Sequence, residues 1–248
     1  MNSPPQWGWA RDNFTHPSGL VQDTSVCILS INIPNNIQPP ILFYYRLTNF
    51  YQNHRRYVKS VDIQQLKGDV RTAGDLSSGD CSPLDVAPNG KPYYPCGLIA
   101  NSMFNDTFGN LKLDNAVQDD AGKAITFYNM TVHGTSWAHE GDLYGETKYK
   151  PEDVVPPPNW QEQYPDGKYN TDRPLPNLHT WEQFQVWMRT AGLPTFSKLY
   201  QRNDNEELRA GTYRLLIWDR MIPTPQMQRK LTCLQATLLR SIVAQSPF

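Results

Sequence analysis

The chain has 248 residues, 39% hydrophobic and 12% aromatic, with 23 basic and 24 acidic side chains for a formal net charge of -1. That balance excludes the global basic excess with which nucleic-acid domains recruit phosphates. The mean hydropathy is -0.60, and the longest apolar runs, such as ILFYY at 41–45, fall far short of the roughly 20 residues that cross a bilayer. The length allows one large or two small domains with a real core. Twenty-one prolines and fifteen glycines, spread rather than repeated, disfavour long helices and suit a loop-rich β protein. The opening MNSPPQWGWARDNFTHPSG has neither the apolar centre nor the small-residue cleavage site of a secretory signal.

VCILSINI at 26–33 puts Cys27, Leu29, Ile31 and Ile33 on one face, which predicts a strand buried on one side. After the turn PNNIQPP, ILFYYRLTNFY sets Ile41, Phe43, Tyr45 and Leu47 against Leu42, Tyr44, Arg46 and Thr48, a second strand. The stretch that leaves it, YYRLTNFYQNHRRYVKS at 44–60, interleaves aromatic rings with Arg46, His54, Arg55, Arg56 and Lys59. Such interleaving is the footprint of a single-stranded nucleic-acid platform. Here the basic excess is local, and Lys and Arg stems can lie along a sheet with their heads wet. The preferred reading is therefore a strand end and turn at a sheet margin, serving internal hydrogen bonds or a partner protein.

Cys81 and Cys96 bracket the turn-rich SPLDVAPNGKPYYP. A disulfide is favoured there over free thiols, and a zinc site lacks paired ligand spacing; such a bridge contributes roughly 3 kcal/mol by restricting the unfolded chain. Asn13, Asn105 and Asn129 open the glycosylation triplets NFT, NDT and NMT, which together with a disulfide point to a lumenal or extracellular face. CGLIANSMFNDTF is helical at its start, with Leu98, Ile99 and Phe104 inward, and AITFYNMTVHG restores strand character. In VVPPPNWQEQYP the three prolines force an extended rod, pinned by Trp160 and Tyr164. HTWEQFQVWMRTAGLP reads as a helix capped by Thr180 with Gln183 reaching back, its stripe of Trp181, Phe184, Trp187, Met188 and Ala191 packing in the core, and Gly192 and Pro194 ending it. GTYRLLIW at 211–218 is a late strand.

Chemistry is poorly supported. HGTSWAHEGD offers His133, His139, Glu140 and Asp142, but the two histidines are six apart, an awkward spacing for a metal. Glu140, Asp142, Glu152 and Asp153 could form a glycosidase pair only if folding sets them at the required separation. No phosphate-binding glycine loop, G-x-S-x-G elbow or H-E-x-x-H helix is present. Neither a metal nor a cofactor is expected, and the chain does not read as an enzyme.

Four blocks in order, YYRLTNFYQNHRRYVKS, PCGLIANSMFNDTF, VVPPPNWQEQYP and FQVWMRTAGLPTFSKLYQR, resemble the exoplasmic domain of the ligand-effect modulator family, also called the cell division control protein 50 family. These are accessory subunits of type-IV P-type ATPases, the phospholipid flippases. The resemblance runs from about Cys27 to about Tyr213 and implies a mainly β, antiparallel, sandwich-like exoplasmic domain with long irregular loops and short helices. It also implies a non-catalytic role in the folding, exit from the endoplasmic reticulum and transport cycle of a catalytic ATPase subunit. By the same resemblance Cys81 and Cys96 form a disulfide and Asn105 is glycosylated. Asn49, Phe50, Tyr51, His54, Arg55, Arg56 and Tyr57, with Trp187, Met188 and Arg189, match family motifs and become candidates for partner contact. A membrane of the endoplasmic reticulum, Golgi, endosomes or cell surface is implied, held by family helices that are expected to be missing from this chain.

Residues 1–25 and 218–248 depart from the family pattern, leaving 26–217 as the exoplasmic domain. Cys27 is expected to lack its family partner, and a sheet missing an edge is expected to be unstable. In the tail, Met227, Leu231, Leu234, Leu238, Ile242 and Val243 recur at near-heptad spacing, the pattern of a basic amphipathic helix, but an altered reading frame or retained intron is the favoured reading of the tail. The alternatives to a flippase subunit are a secreted carbohydrate-binding or carbohydrate-active β domain and an inactive truncated product.

Overall fold

The alternation at 26–33 is realised as part of a long strand at the heart of an antiparallel sheet. The computed structural model describes residues 6–15, 21–118, 122, 124–164 and 166–218; the tail helix and Cys233 lie outside them. The strands are β1 (Gln6–Thr15), β2 (Val21–Ile33), β3 (Ile41–Leu47), β4 (Thr107–Phe108), β5 (Leu111–Gln118), β6 (Ala124–Tyr128), β7 (Phe196–Asn203) and β8 (Gly211–Trp218). Among the described residues five short helices accompany them: α1 (Arg55–Lys59), α2 (Ile63–Leu66), α3 (Ala73–Ser77), α4 (Leu98–Asn101) and α5 (Glu182–Met188). The chain divides into two units, Met1–Arg46 with Asn105–Val132 and Leu199–Phe248, and Leu47–Phe104 with His133–Lys198.

In the first unit the larger sheet runs β1-β2-β8-β5-β6, with β4 also on β8. Cys27 faces Ile217 and Leu29 faces Leu215 across the β2–β8 ladder, and all four are buried. Full burial of each aliphatic side chain is worth about 1.5–3 kcal/mol. Arg214, which precedes Leu215, is exposed and pairs with Asp114 on β5. β3 and β7 form a separate two-stranded sheet. Phe43 of β3 and Tyr200 of β7 meet the Phe108 ring of β4 edge-on, with centroids 5.1 and 4.7 Å away, so aromatic packing joins the two sheets.

Two expectations fail here. The edge of β2 is not open, because β1 pairs with it from Gln6–Ser30 to Thr15–Val21; the first residues supply a strand that their composition did not announce. Cys27, buried at 2% exposure, is disulfide-bonded rather than unpartnered.

The second unit is loops and short helices around aromatic side chains. Tyr94, Tyr149, Trp160, Tyr169 and Phe184 share one core cluster. The polar tips of three of them reach backbone carbonyls: Trp160 Nε1 donates to Ala100 O at 3.0 Å, Tyr169 Oη to Tyr94 O at 2.5 Å and Tyr149 Oη to Arg71 O at 2.7 Å. These three rings are therefore buried with their donors satisfied. Cys81 and Cys96 are joined, with their Cα atoms 5.8 Å apart, in a cluster with Leu76, Tyr93 and Val155.

Local corrections follow from backbone geometry. The proline stretch is extended only to Pro157; Pro158 opens a 3-10 segment, Pro158–Gln163, because a proline at the start of a helical turn gives up no needed N–H. α4 covers only Leu98–Asn101, with Ile99 buried but Leu98 and Phe104 half-buried. α5 starts after Trp181 and has no side-chain cap. Thr180 Oγ1 instead donates to Asn177 O, and α5 ends at Met188, before Ala191. Among the described residues no helix is long and apolar enough to cross a membrane.

Candidate functional site

The aromatic and basic stretch does not stay at a strand margin. Asn49, at φ +57°, turns the chain out of β3; asparagine tolerates this left-handed conformation better than most residues. The following residues are tied to the segment after α5. Phe50 N donates to Pro194 O at 3.0 Å, Asn53 Nδ2 to Gly192 O at 3.1 Å, and Ala191 N to the buried Gln52 Oε1 at 2.9 Å. His54 then caps α1, its Nδ1 accepting from Arg56 N at 3.3 Å.

This arrangement sorts the candidate contact residues by direction. The Phe50 ring lies edge-on to Tyr57, Trp187 and Phe196, with centroids 6.0, 5.7 and 6.1 Å away. Tyr57 Oη shares a 2.8 Å hydrogen bond with Ser102 Oγ, and burial pushes its phenol above the usual value. Trp187, 1% exposed, donates from Nε1 to Ile99 O at 2.8 Å. Asn49, Tyr51, His54, Arg55 and Arg56 are exposed.

Arg189 occupies a second cluster. Its Nε lies 2.9 Å from Glu140 Oε1, and its guanidinium sits 4.5 Å from the centroid of the exposed Trp137 ring, a cation–π contact. At the start of α5, Glu182 accepts from the backbone N–H groups of Gly134, Thr135 and Ser136 at 3.0, 2.7 and 3.0 Å. The loop after β6 is therefore latched to both ends of one helix by carboxylates. Beneath it the buried Lys198 donates to Val186 O at 3.1 Å and to the carbonyls of Trp187 and Arg189, satisfying acceptors that a helix end leaves open. Burial, with the nearby Arg189 charge, pushes its amine down to about 8.

The histidines and carboxylates considered for chemistry are dispersed. His133 lies 3.7 Å from Glu182, His139 3.6 Å from Asp142, and Glu140 is taken by Arg189; Glu152 and Asp153 are exposed. Among the described residues no three His, Cys, Asp or Glu side chains converge on a metal-sized site. Gln52, Glu182 and Lys198 organise the site, yet their surroundings in sequence carry no motif that singles them out. Of the sequon asparagines, Asn129 is exposed and Asn105 half-buried, Asn129 Oδ1 accepting from Asn110 Nδ2 at 3.3 Å. For Asn13 the backbone lies on β1, and its side chain lies outside the described residues.

The structure is thus a disulfide-bonded, antiparallel β protein whose polar clusters fasten loops together. The chain belongs to the LEM3 (ligand-effect modulator 3) family / CDC50 family, whose model matches residues 10–224. It is 47% identical over 193 residues to the phospholipid-transporting ATPase accessory subunit CDC50 of Chaetomium thermophilum, covering 77% of this chain and 47% of that protein. It is 46% identical over 187 residues to the accessory subunit CRF1 of Saccharomyces cerevisiae, covering 75% and 45%. To cell cycle control protein 50A of Mus musculus it is 37% identical over 209 residues, covering 77% and 54%. The chain spans about half the length of these relatives.

Proposed function

We propose that this chain is the exoplasmic part of a non-catalytic accessory subunit that binds a type-IV P-type, phospholipid-transporting ATPase and assists its folding, its exit from the endoplasmic reticulum and its transport cycle. The observation that carries the reading is the family match across residues 10–224, joined to relatives named as accessory subunits of phospholipid-transporting ATPases. On this reading the domain of residues 26–217 lies on the lumenal or extracellular side of a membrane of the secretory or endosomal system. The Cys81–Cys96 disulfide suits that oxidising compartment. Asn105, Asn129 and Asn13 are the glycan acceptors. A carbohydrate-binding platform finds less support, because Trp160 and Trp187 are buried and the exposed Trp137 ring is engaged by the Arg189 guanidinium.

The test is co-expression. The tagged chain, fused to a membrane anchor with the domain outside the cytosol, is produced with a phospholipid-transporting ATPase in cells depleted of their own accessory subunits. Co-purification of the ATPase and its departure from the endoplasmic reticulum are expected. An ATPase that stays behind and does not co-purify, although the disulfide-bonded domain is made, overturns the assignment.

A further inference from the structure

We propose that Asn89, at the tip of a hairpin inside the Cys81–Cys96 loop, is a site of spontaneous covalent modification in the folded protein. Its side chain closes onto the backbone nitrogen of Gly90 with loss of ammonia, and water then converts it to aspartate or isoaspartate. The inference is independent of the accessory-subunit reading. Asn89 is followed by glycine, and none of the other asparagines is. The attacking atom is the backbone nitrogen of the next residue, and only glycine leaves its approach uncrowded and its backbone free to turn.

The fold leaves this pair reactive. Ala87 N donates to Lys91 O at 2.8 Å and Gly90 N to Ala87 O at 2.9 Å, while Val86 bridges Pro92 just outside them. Gly90 has φ +79°, the pattern of a three-residue hairpin loop closed by a left-handed glycine. Pro88, Asn89 and Gly90 are exposed, and nothing lies within 4 Å of the place a Gly90 Cβ would take. Beyond the tip the hairpin is fastened, with Lys91 Nζ donating to Glu152 O and Val155 N to Pro92 O at 3.0 Å. One exposed bond, from Gly90 N to Ala87 O, has to open before that nitrogen can turn to the side chain.

The carbonyl to be attacked is already engaged. Lys91 N donates to Asn89 Oδ1 at 3.1 Å, which polarises the amide and stabilises the negative charge that develops on Oδ1 as its carbon is attacked. Asn101, followed by Ser102, is the contrasting case. It lies in α4, and the nitrogen that would attack, Ser102 N, is held by Leu98 O at 3.1 Å.

Water is the only co-reactant. The bond from Gly90 N to Asn89 Cγ forms, the Cγ–Nδ2 bond breaks, and the Gly90 amide proton leaves with Nδ2 as ammonia, giving a five-membered imide. Water attacking Cγ reopens the ring to aspartate. Water attacking the main-chain carbonyl gives isoaspartate, whose backbone runs through Cβ and Cγ and is one carbon longer between Ala87 and Lys91. Either product places a new negative charge at the tip.

The test follows the full chain, with its disulfides intact, through prolonged incubation at neutral pH beside the same chain reduced and unfolded in urea. Peptide mass spectrometry reads the loss of ammonia and the formation of aspartate and isoaspartate at each asparagine. Asn89 is expected to convert first in the native chain, at a rate within about tenfold of that in the unfolded chain, the factor set by opening one exposed hydrogen bond. Asn89→Gln should abolish conversion in that peptide, and an unchanged melting temperature confirms that this exposed substitution leaves the chain folded. Conversion more than about tenfold slower in the native than in the unfolded chain overturns the proposal, as does another asparagine converting ahead of Asn89.

Discussion

Replacing Gln65 by Leu should destabilise the second unit severely without opening a cavity. Gln65 is 1% exposed and bridges both sides of the disulfide-bearing turn, donating from Nε2 to Tyr93 O at 2.9 Å and accepting from Cys96 N at 2.8 Å. Leucine fills a similar volume but leaves one buried acceptor and one buried donor without partners. Each orphaned group costs about 1–3 kcal/mol, so the pair costs about 2–6 kcal/mol. For a protein of this size each kcal/mol lowers the melting temperature by about 2–4 °C, which puts the central expectation near a 12 °C loss. The assay is thermal unfolding followed by near-ultraviolet circular dichroism under non-reducing conditions. Gln64→Leu, at the exposed neighbouring position, serves as control and should change stability by less than about 0.5 kcal/mol. If Gln65→Leu melts within a degree of the control, the buried amide does not hold the turn and the argument fails.

Gly97→Ala should prevent α4 from docking, since a Cβ there would stand 2.0 Å from Ser60 O at φ +95°; a loss of about 3 kcal/mol or more is expected, read as a lowered denaturant midpoint. Cys81→Ser with Cys96→Ser removes a bridge across a separation of 15 residues and should cost about 3 kcal/mol, while equal midpoints for reduced and oxidised protein would contradict this. Glu182 ties pH to the loop it holds. Burial pushes its carboxyl up, but the N–H groups of Ser136, Gly134 and Thr135 outweigh this and leave it below the usual value of 4.5. Its contribution is therefore complete above about pH 4.5 and is lost as pH falls through the lower folded value. Hydrogen exchange at residues 134–136 should accelerate over that acid range, and in Glu182→Ala it should be fast throughout, with no added acid sensitivity.

Strands with clean alternation were readable before any fold was known. β2, β3 and β8 each bury one face, and Leu29, Phe43 and Leu215 identify it directly. β1 was not legible, because QWGWARDNFT mixes charges and Gly with its aromatics. The short helices α1, α2 and α3 were missed for another reason: four or five residues are too few to show a helical period, and His54, Asp62 and Thr72 cap them in surroundings that also read as turns. At the candidate site the residue types were visible but their directions were not. Phe50 and Tyr51 are neighbours with similar chemistry, yet one packs on Trp187 and the other faces water, a difference set by Asn49 and by a segment some 140 positions later in the chain.

The larger sheet places its last strand at its centre. β8 lies between β2 and β5, so during synthesis the pairs β1–β2 and β5–β6 emerge first as separate ribbons with open edges. Neither can complete its ladder until residues 211–218 leave the ribosome and insert between them, and pairing over such sequence distances is slow. The second unit has no such wait, because its final segment ends at Lys198. A nascent chain therefore passes through an interval in which the later-completed unit exposes unpaired backbone, the feature that recruits chaperones and invites aggregation. Chain termination between Lys198 and Trp218 would freeze the protein in that interval, which makes this short stretch a sensitive checkpoint for biosynthetic quality control.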